Sequence, residues 1–194
     1  MSERPETMPE NDVIELLLHQ HREIRRLFIQ AEKNTGDERA EAFDHLRRLL
    51  AVHETAEEEI VHPTARRSLS DGDKVVDARL EEENHAKQML EQLEEIGPQG
   101  RGFVKLLGEL KTAVLTHAEH EEREEFSKLK EKHSHAERVA MGVAVKAAAA
   151  MAPTHPHAGV ESATANILVG PYAAMLDRSR DVVRQAMQRV GGDS

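Results

Sequence analysis

Apolar residues recur at intervals of three and four through the first two-thirds of the chain, the period of helices that each bury one face. The first stripe is Ile14, Leu17, Leu18, His21, Ile24 and Phe28, with Asn11 or Asp12 placed to cap a helix that begins at Val13. Asn34-Thr35-Gly36-Asp37 reads as a turn with a second cap. The next stripe is Phe43, Leu46, Leu50, His53, Glu57 and Ile60, and Pro63 is expected to end it. After a polar stretch from Ser68 to Asp73, a third stripe runs Val75, Ala78, Glu82, His85, Met89, Leu93 and Ile96, up to Gly97-Pro98. A fourth runs Phe103, Leu107, Leu110, Val114, His117, Glu121 and Leu129. The pattern predicts an all-α fold, an antiparallel four-helix bundle.

In each stripe one histidine occupies a position that the period reserves for an apolar side chain. His21, His53, His85 and His117 are spaced by 32 residues. Such an interval is half a helix out, a turn and half a helix back, so it returns the chain to the same height on an antiparallel neighbour. His53 with Glu57 and His117 with Glu121 form H-x-x-x-E pairs, in which residues i and i+4 share a helix face. Burying this many polar groups at one level is unfavourable unless a bound cation satisfies them. Imidazole and carboxylate in a bundle core are a ligand set for a pair of non-haem iron ions. The expected ligands are His21, His53, Glu57, His85, His117 and Glu121. Glu57 and Glu121 bridge two ions, and open coordination positions remain for a small ligand.

Composition narrows the function classes. Thirty-six acidic against 26 basic residues give a net charge of -10, which argues against nucleic-acid and anionic-membrane partners. With no cysteine there are no disulfides, thiolate ligands or iron–sulfur clusters. No phosphate-binding glycine loop and no nucleophile elbow occur. The polar segment Met1 to Glu10 has no apolar signal region, and a cytoplasmic protein is expected.

The arrangement H…HxxxE…H…HxxxE, in the segments LLLHQHREIRRLF, LLAVHETAEEEIVHP and AVLTHAEHEEREEFSKL, resembles the hemerythrin-like (HHE) cation-binding domain over residues 11 to about 132. The resemblance implies an up-down-up-down four-helix bundle with an oxo- or hydroxo- and carboxylate-bridged di-iron centre. It also implies a small-molecule partner (O2, H2O2 or NO). The tail PTHPHAGVESATANILVGPYAAMLDRSRD resembles an extension of some actinobacterial members. One departure concerns the third helix, where oxygen-carrying hemerythrins have HxxxH. Here Glu81 precedes His85 by four and Met89 follows it by four. Glu81 or Glu82 is a candidate for the missing ligand. The exchange of nitrogen for carboxylate favours redox turnover, with catalase-like decomposition of hydrogen peroxide as the expected activity. The alternative is a non-catalytic O2, NO or iron sensor that acts through a partner.

Other histidines carry competing readings. Glu59-x-x-His62 and Glu82-x-x-His85 match the ExxH pattern of ferritin-like sites. His62 beside Pro63 is nevertheless expected at a helix end, out of register with the histidine layer. His120 is expected at the core boundary, and His19, His45, His133 and His135 at the surface. One or two of Glu58, Glu59, Glu122 and Glu125 are expected to orient imidazole N–H groups. The chain thus divides into a disordered N-terminus (1–10), the bundle (11–132) and an Ala-rich, helical C-terminal extension (133–194). The extension holds a helix within 136–151, a connector at 153–159 and a last helix from about Pro171 to Val190. It is expected to pack outside the bundle or to join two copies in a homodimer.

Overall fold

A computed structural model describes residues 12–149 and 170–191 of the chain. The expected disordered N-terminus and the connector with His155 and His157 lie outside these residues. Among the described residues the secondary structure is helical, with no strand. Helix α1 is Val13–Lys33, capped by Asp12, whose Oδ1 accepts the Ile14 N–H at 3.0 Å. Helix α2, Gly36–Ala56, returns antiparallel and packs along α1.

Helix α2 does not end at Pro63. A π-helical turn, Glu57–Val61, joins it directly to α3, His62–Ser68. The His62 N–H reaches back to the Glu57 carbonyl, one residue beyond α-helical reach. Pro63, which lacks an N–H, then sits in the first turn of α3, where no helical donor is required. A second π-helical turn, Glu122–Phe126, joins α5 (Phe103–Glu121) to α6 (Ser127–Lys132). Both wide turns begin at or just after the glutamate of an H-x-x-x-E pair.

Helix α4, Gly72–Ile96, completes the bundle, packing on α3 and along α5. Gly72 abuts α3: a Cβ there would lie 2.5 Å from the Ala65 carbonyl oxygen. Gly97 closes α4 with φ +71°, which glycine adopts without strain. The core is built from Leu17, Ile24, Phe28, Leu46, Leu50, Leu90, Leu93, Phe103, Leu107 and Leu110.

The buried face of α4 is turned by one residue from the expected stripe. Val76, Arg79, Glu83, Ala86, Leu90 and Leu93 point inward, while Ala78, His85 and Ile96 are exposed. The interior positions Arg79 and Glu83 are charged, so hydrophobic periodicity alone pointed to the neighbouring set.

The extension folds onto the same body. Helix α7, His135–Ala149, packs on α1, and α8, Tyr172–Gly191, packs on α2 and α7. Tyr172, Met175, Leu176 and Val183 bury the inner face of α8. No helix among the described residues is long and apolar enough to cross a membrane.

Candidate metal centre

At mid-height of the bundle, His21 of α1, His53 and Glu57 at the end of α2, and His117 and Glu121 at the end of α5 converge. His21 Nε2 lies 3.1 Å from His53 Nε2 and 3.3 Å from Glu121 Oε2. Glu57 Oε1 is 3.1 Å from His53 Nε2, and Glu57 Oε2 is 3.9 Å from His117 Nε2. Glu121 Oε1 is 3.4 Å from His117 Nε2. Each of the two carboxylates thus offers one oxygen to the His21–His53 side and the other to His117.

The outer nitrogen of each imidazole is fixed by an acceptor. His21 Nδ1 pairs with Glu122 Oε1 at 2.8 Å, His53 Nδ1 with Gln20 Oε1 at 2.8 Å, and His117 Nδ1 with Glu82 Oε2 at 3.0 Å. With Nδ1–H donating outward, every Nε2 lone pair faces the interior, as metal ligation requires. Glu122 is one of the glutamates expected to orient an imidazole, whereas Gln20 carries no signal in the sequence beyond its place next to His21.

Two groups of side chains have ligand atoms close enough to hold a cation: His21, His53, Glu57 and Glu121, and beside them Glu57, Glu83 and His117. Both oxygens of Glu57 and of Glu121, Oε2 of Glu83 and Nε2 of His117 are buried without a hydrogen-bond partner. Buried carboxylates almost always have partners, and a cation between these atoms would supply them. The donor set fits two metal ions.

The electrostatics agree. Burial, then repulsion from Glu121, pushes the Glu57 carboxyl well above its ordinary range. Burial also acts to raise Glu121, but His117 and His21 hold it well below the ordinary value. Burial acts to lower the His117 imidazole, but Glu121, Glu57 and Glu82 hold it well above. Burial and the neighbouring His21 keep His53 neutral by lowering it well below 6.5. Without a cation, protons do the neutralising.

A hemerythrin HHE cation-binding domain profile matches residues 12–129. The chain belongs to the hemerythrin HHE cation-binding family. Family membership makes it a metal-binding protein. The HHE fold is shared with a crystal structure of a hemerythrin HHE cation-binding domain-containing protein from Mycobacterium kansasii. That structure is 20% identical, with a TM-score of 0.68, and the match covers 86% of this chain and 98% of the other. A protein described as a DNA nickase from Nostoc sp. is 26% identical over 111 residues, 57% of this chain and 31% of its own length. The chain spans about a third of that relative.

The HHE site departs from the sequence expectation on the third helix. His85 is exposed on α4 and lies outside both ligand groups. Glu81 is exposed as well. Glu82 lies outside both groups and accepts from His117 Nδ1 (3.0 Å), His120 Nδ1 (2.8 Å) and Arg79 (2.9 Å). Burial acts to raise Glu82, but His117, His120 and Arg79 bring it down to about 2. The inward carboxylate of α4 is Glu83, which the one-residue turn of the helix face concealed.

His62, the first residue of α3, is not left at an exposed helix end, because the helical run continues through it; it is buried, with Nε2 2.7 Å from Glu83 Oε1 and Nδ1 3.1 Å from Glu125 Oε1. Burial acts to lower this imidazole, but Glu125 and Glu83 push it up to about 10. Glu83 is thereby held with Oε2 turned towards the ligand group, 3.6 Å from Lys87 Nζ and without a hydrogen bond. The signal for His62 was Pro63 inside a continuing helix, which forces an irregular turn. Nothing comparable marked the π-helical turn that precedes α6.

The ligand groups open on a cavity of about 20 Å³, room for one or two water-sized groups. His21, His53, His117, Glu54, Glu82 and Glu83 line it together with Ile24, Leu50, Val114 and Ala118.

Proposed function

We propose that the chain binds two iron ions through His21, His53, Glu57, Glu121, Glu83 and His117, and that it decomposes hydrogen peroxide. The observation that carries this reading is the pair of ligand groups sharing Glu57 beside a cavity with room for one or two water-sized groups. Three imidazoles against three carboxylates make a donor set rich in anionic oxygen. Such donors stabilise the oxidised metal and weigh against reversible oxygen carriage. Bound iron supplies the electron exchange by which one peroxide is reduced to water and another is oxidised to dioxygen.

The residues provide the setting. Gln20, Glu122 and Glu82 keep the three imidazoles in the ligating tautomer. Ile24, Leu50, Val114 and Ala118 limit the water that reaches the cavity and exclude larger substrates. Dioxygen evolution from peroxide by iron-loaded protein, absent in Glu57→Ala, tests the proposal. Two bound irons with no evolution of dioxygen would leave metal binding and remove the activity.

A second reading is a sensor. Arg180 and Arg184 of α8 pair with Glu58 and Glu59, the residues that follow the ligand Glu57, at 2.6 and 2.8 Å. A metal state that moved Glu57 would act directly on this clamp. Hydrogen exchange in α8 that changes with metal oxidation supports this reading, and unchanged exchange removes it.

A further inference from the structure

Tyr172 is the chain's only tyrosine, and the chain has neither tryptophan nor cysteine. No other phenol, indole or thiol is therefore available as a ready one-electron donor. Its side chain enters the bundle from the first residue of α8 and is 1% exposed. The backbone fixes the entry point, since the Tyr172 N–H donates to Glu94 Oε1 at 2.9 Å.

The buried phenol oxygen lies against the side chain of Glu54, its hydrogen-bonding neighbour, and Glu54 Oε2 is in turn 3.5 Å from Lys87 Nζ. Of the surrounding charges, Glu54 acts most strongly on the phenol, ahead of Glu83 and Glu58. Glu54 follows His53 in sequence and lines the same cavity as His53, His117 and Glu83. Tyr172 thus meets, on the far side of Glu54, the wall of the proposed metal centre. A phenol buried against an acid that also borders the ligand cavity is placed to lose an electron and a proton together.

We propose that Tyr172 is a redox-active side chain that donates one electron to the metal centre during reaction with hydrogen peroxide. This rests on the iron-binding reading above. Reduction of one peroxide to two waters takes two electrons and two protons. When only one electron comes from bound iron, Tyr172 supplies the other. Its O–H bond breaks, the electron passes to the metal centre, and the proton is released towards the peroxide in the cavity. That proton becomes one of the two that the waters take up, and solvent supplies the second. The oxidising equivalent then rests on a neutral phenoxyl inside the core, away from the histidine ligands.

The test uses the full chain loaded with iron and brought to one ferrous ion per chain, treated with hydrogen peroxide and frozen for electron paramagnetic resonance. Tyr172→Phe keeps the ring and removes only the hydroxyl, and its melting and metal content report whether fold and site survive. The expected result is an organic radical signal in the parent protein that narrows when the tyrosine is ring-deuterated. The signal is lost in Tyr172→Phe at unchanged iron content. Peptide mass spectrometry should then find the oxidation in Tyr172→Phe moved to His53, His117 or Met89. A radical that persists in Tyr172→Phe, or one formed without iron, overturns the proposal. So does peroxide consumption at full iron content with no radical at all, and that outcome leaves the metal centre standing. Protein that takes up no iron overturns both readings, and metal analysis alone identifies that case.

Discussion

At the scale of single residues, the division of labour on α4 is the most exposed to test. Glu83 points into the bundle with an oxygen that has no hydrogen bond, and His85, two residues on, points to solvent. Glu83→Gln should lower iron content from about two per chain to about one, because the His117 side loses its second carboxylate. His85→Ala should keep both. Metal analysis after anaerobic loading reads the two variants side by side, and equal losses would return His85 to the site. Gln20 offers a subtler case. It accepts from His53 Nδ1 at 2.8 Å and touches no ligand atom on the cavity side. Gln20→Ala should weaken metal affinity by ~10–100-fold, the usual effect of removing a ligand's orienting partner. Competition with a chelator measures it, and an affinity unchanged from the parent would mean that packing alone orients His53.

At the scale of elements, joints between helices decide both stability and what a reader of the sequence could see. Asp12 caps α1 with Oδ1 and holds Arg138 of α7 with Oδ2 at 2.8 Å, so one side chain ties the extension to the bundle. Asp12→Ala should cost about 1–2 kcal/mol in urea unfolding, the range of a lost cap. Burial acts to raise the Asp12 carboxyl, but Arg138 and the Ile14 N–H hold it below 3.8. Its contribution is therefore present above pH 3.8 and lost as the pH falls below that. The variant should show a shallower acid limb, and a limb as steep as the parent's would count against this pairing. His21, His53 and His117 were legible because a fixed interval of 32 residues on antiparallel helices brings them to one height. His85 shares the interval but not the site, since α4 turns its charged Arg79 and Glu83 inward and its apolar Ile96 outward. Sequence periodicity takes charge as a mark of solvent, so a face carrying buried ions is misread by one step. The π-helical turns escaped for a related reason. They change the register after Glu57 and Glu121, which brings His62 inside where a regular helix closed by Pro63 would have left it at an end.

At the scale of the whole molecule, the chain has enclosed Glu54, Glu57, Glu83, Glu121 and Glu125 in one bundle, each at most 4% exposed. Such a group of acids stays folded only if protons or cations neutralise it. In the metal-free protein, protons do so together with the Lys87 ammonium, 3.5 Å from Glu54 Oε2 and 3.6 Å from Glu83 Oε2. Burial and Glu83 push Glu54 up to about 8, and Glu125 and Glu83 hold His62 at about 10 against the effect of burial. Both pKa values are raised above their unfolded values, so the folded chain binds more protons than the unfolded one. Stability is then lost as the pH rises, from 4.5 towards 8 for Glu54 and from 6.5 towards 10 for His62. His53 works in the other direction, because its lowered pKa makes stability rise with pH, but only up to 6.5. Above 6.5 the falling contributions are unopposed. Metal ions reverse this slope, since they take the place of the protons and bind more tightly as protons leave. Chelator-treated protein should therefore unfold at steadily lower urea concentration between about pH 6.5 and about pH 9, while metal-loaded protein holds level or gains. The gap between the two at a given pH should reach about 3 kcal/mol for each bound ion when free metal is ~100-fold above its dissociation constant. Parallel curves would show that the buried acids are neutralised in the same way with and without metal, and the bundle would then have to be explained as a proton-bound structure that needs no cation.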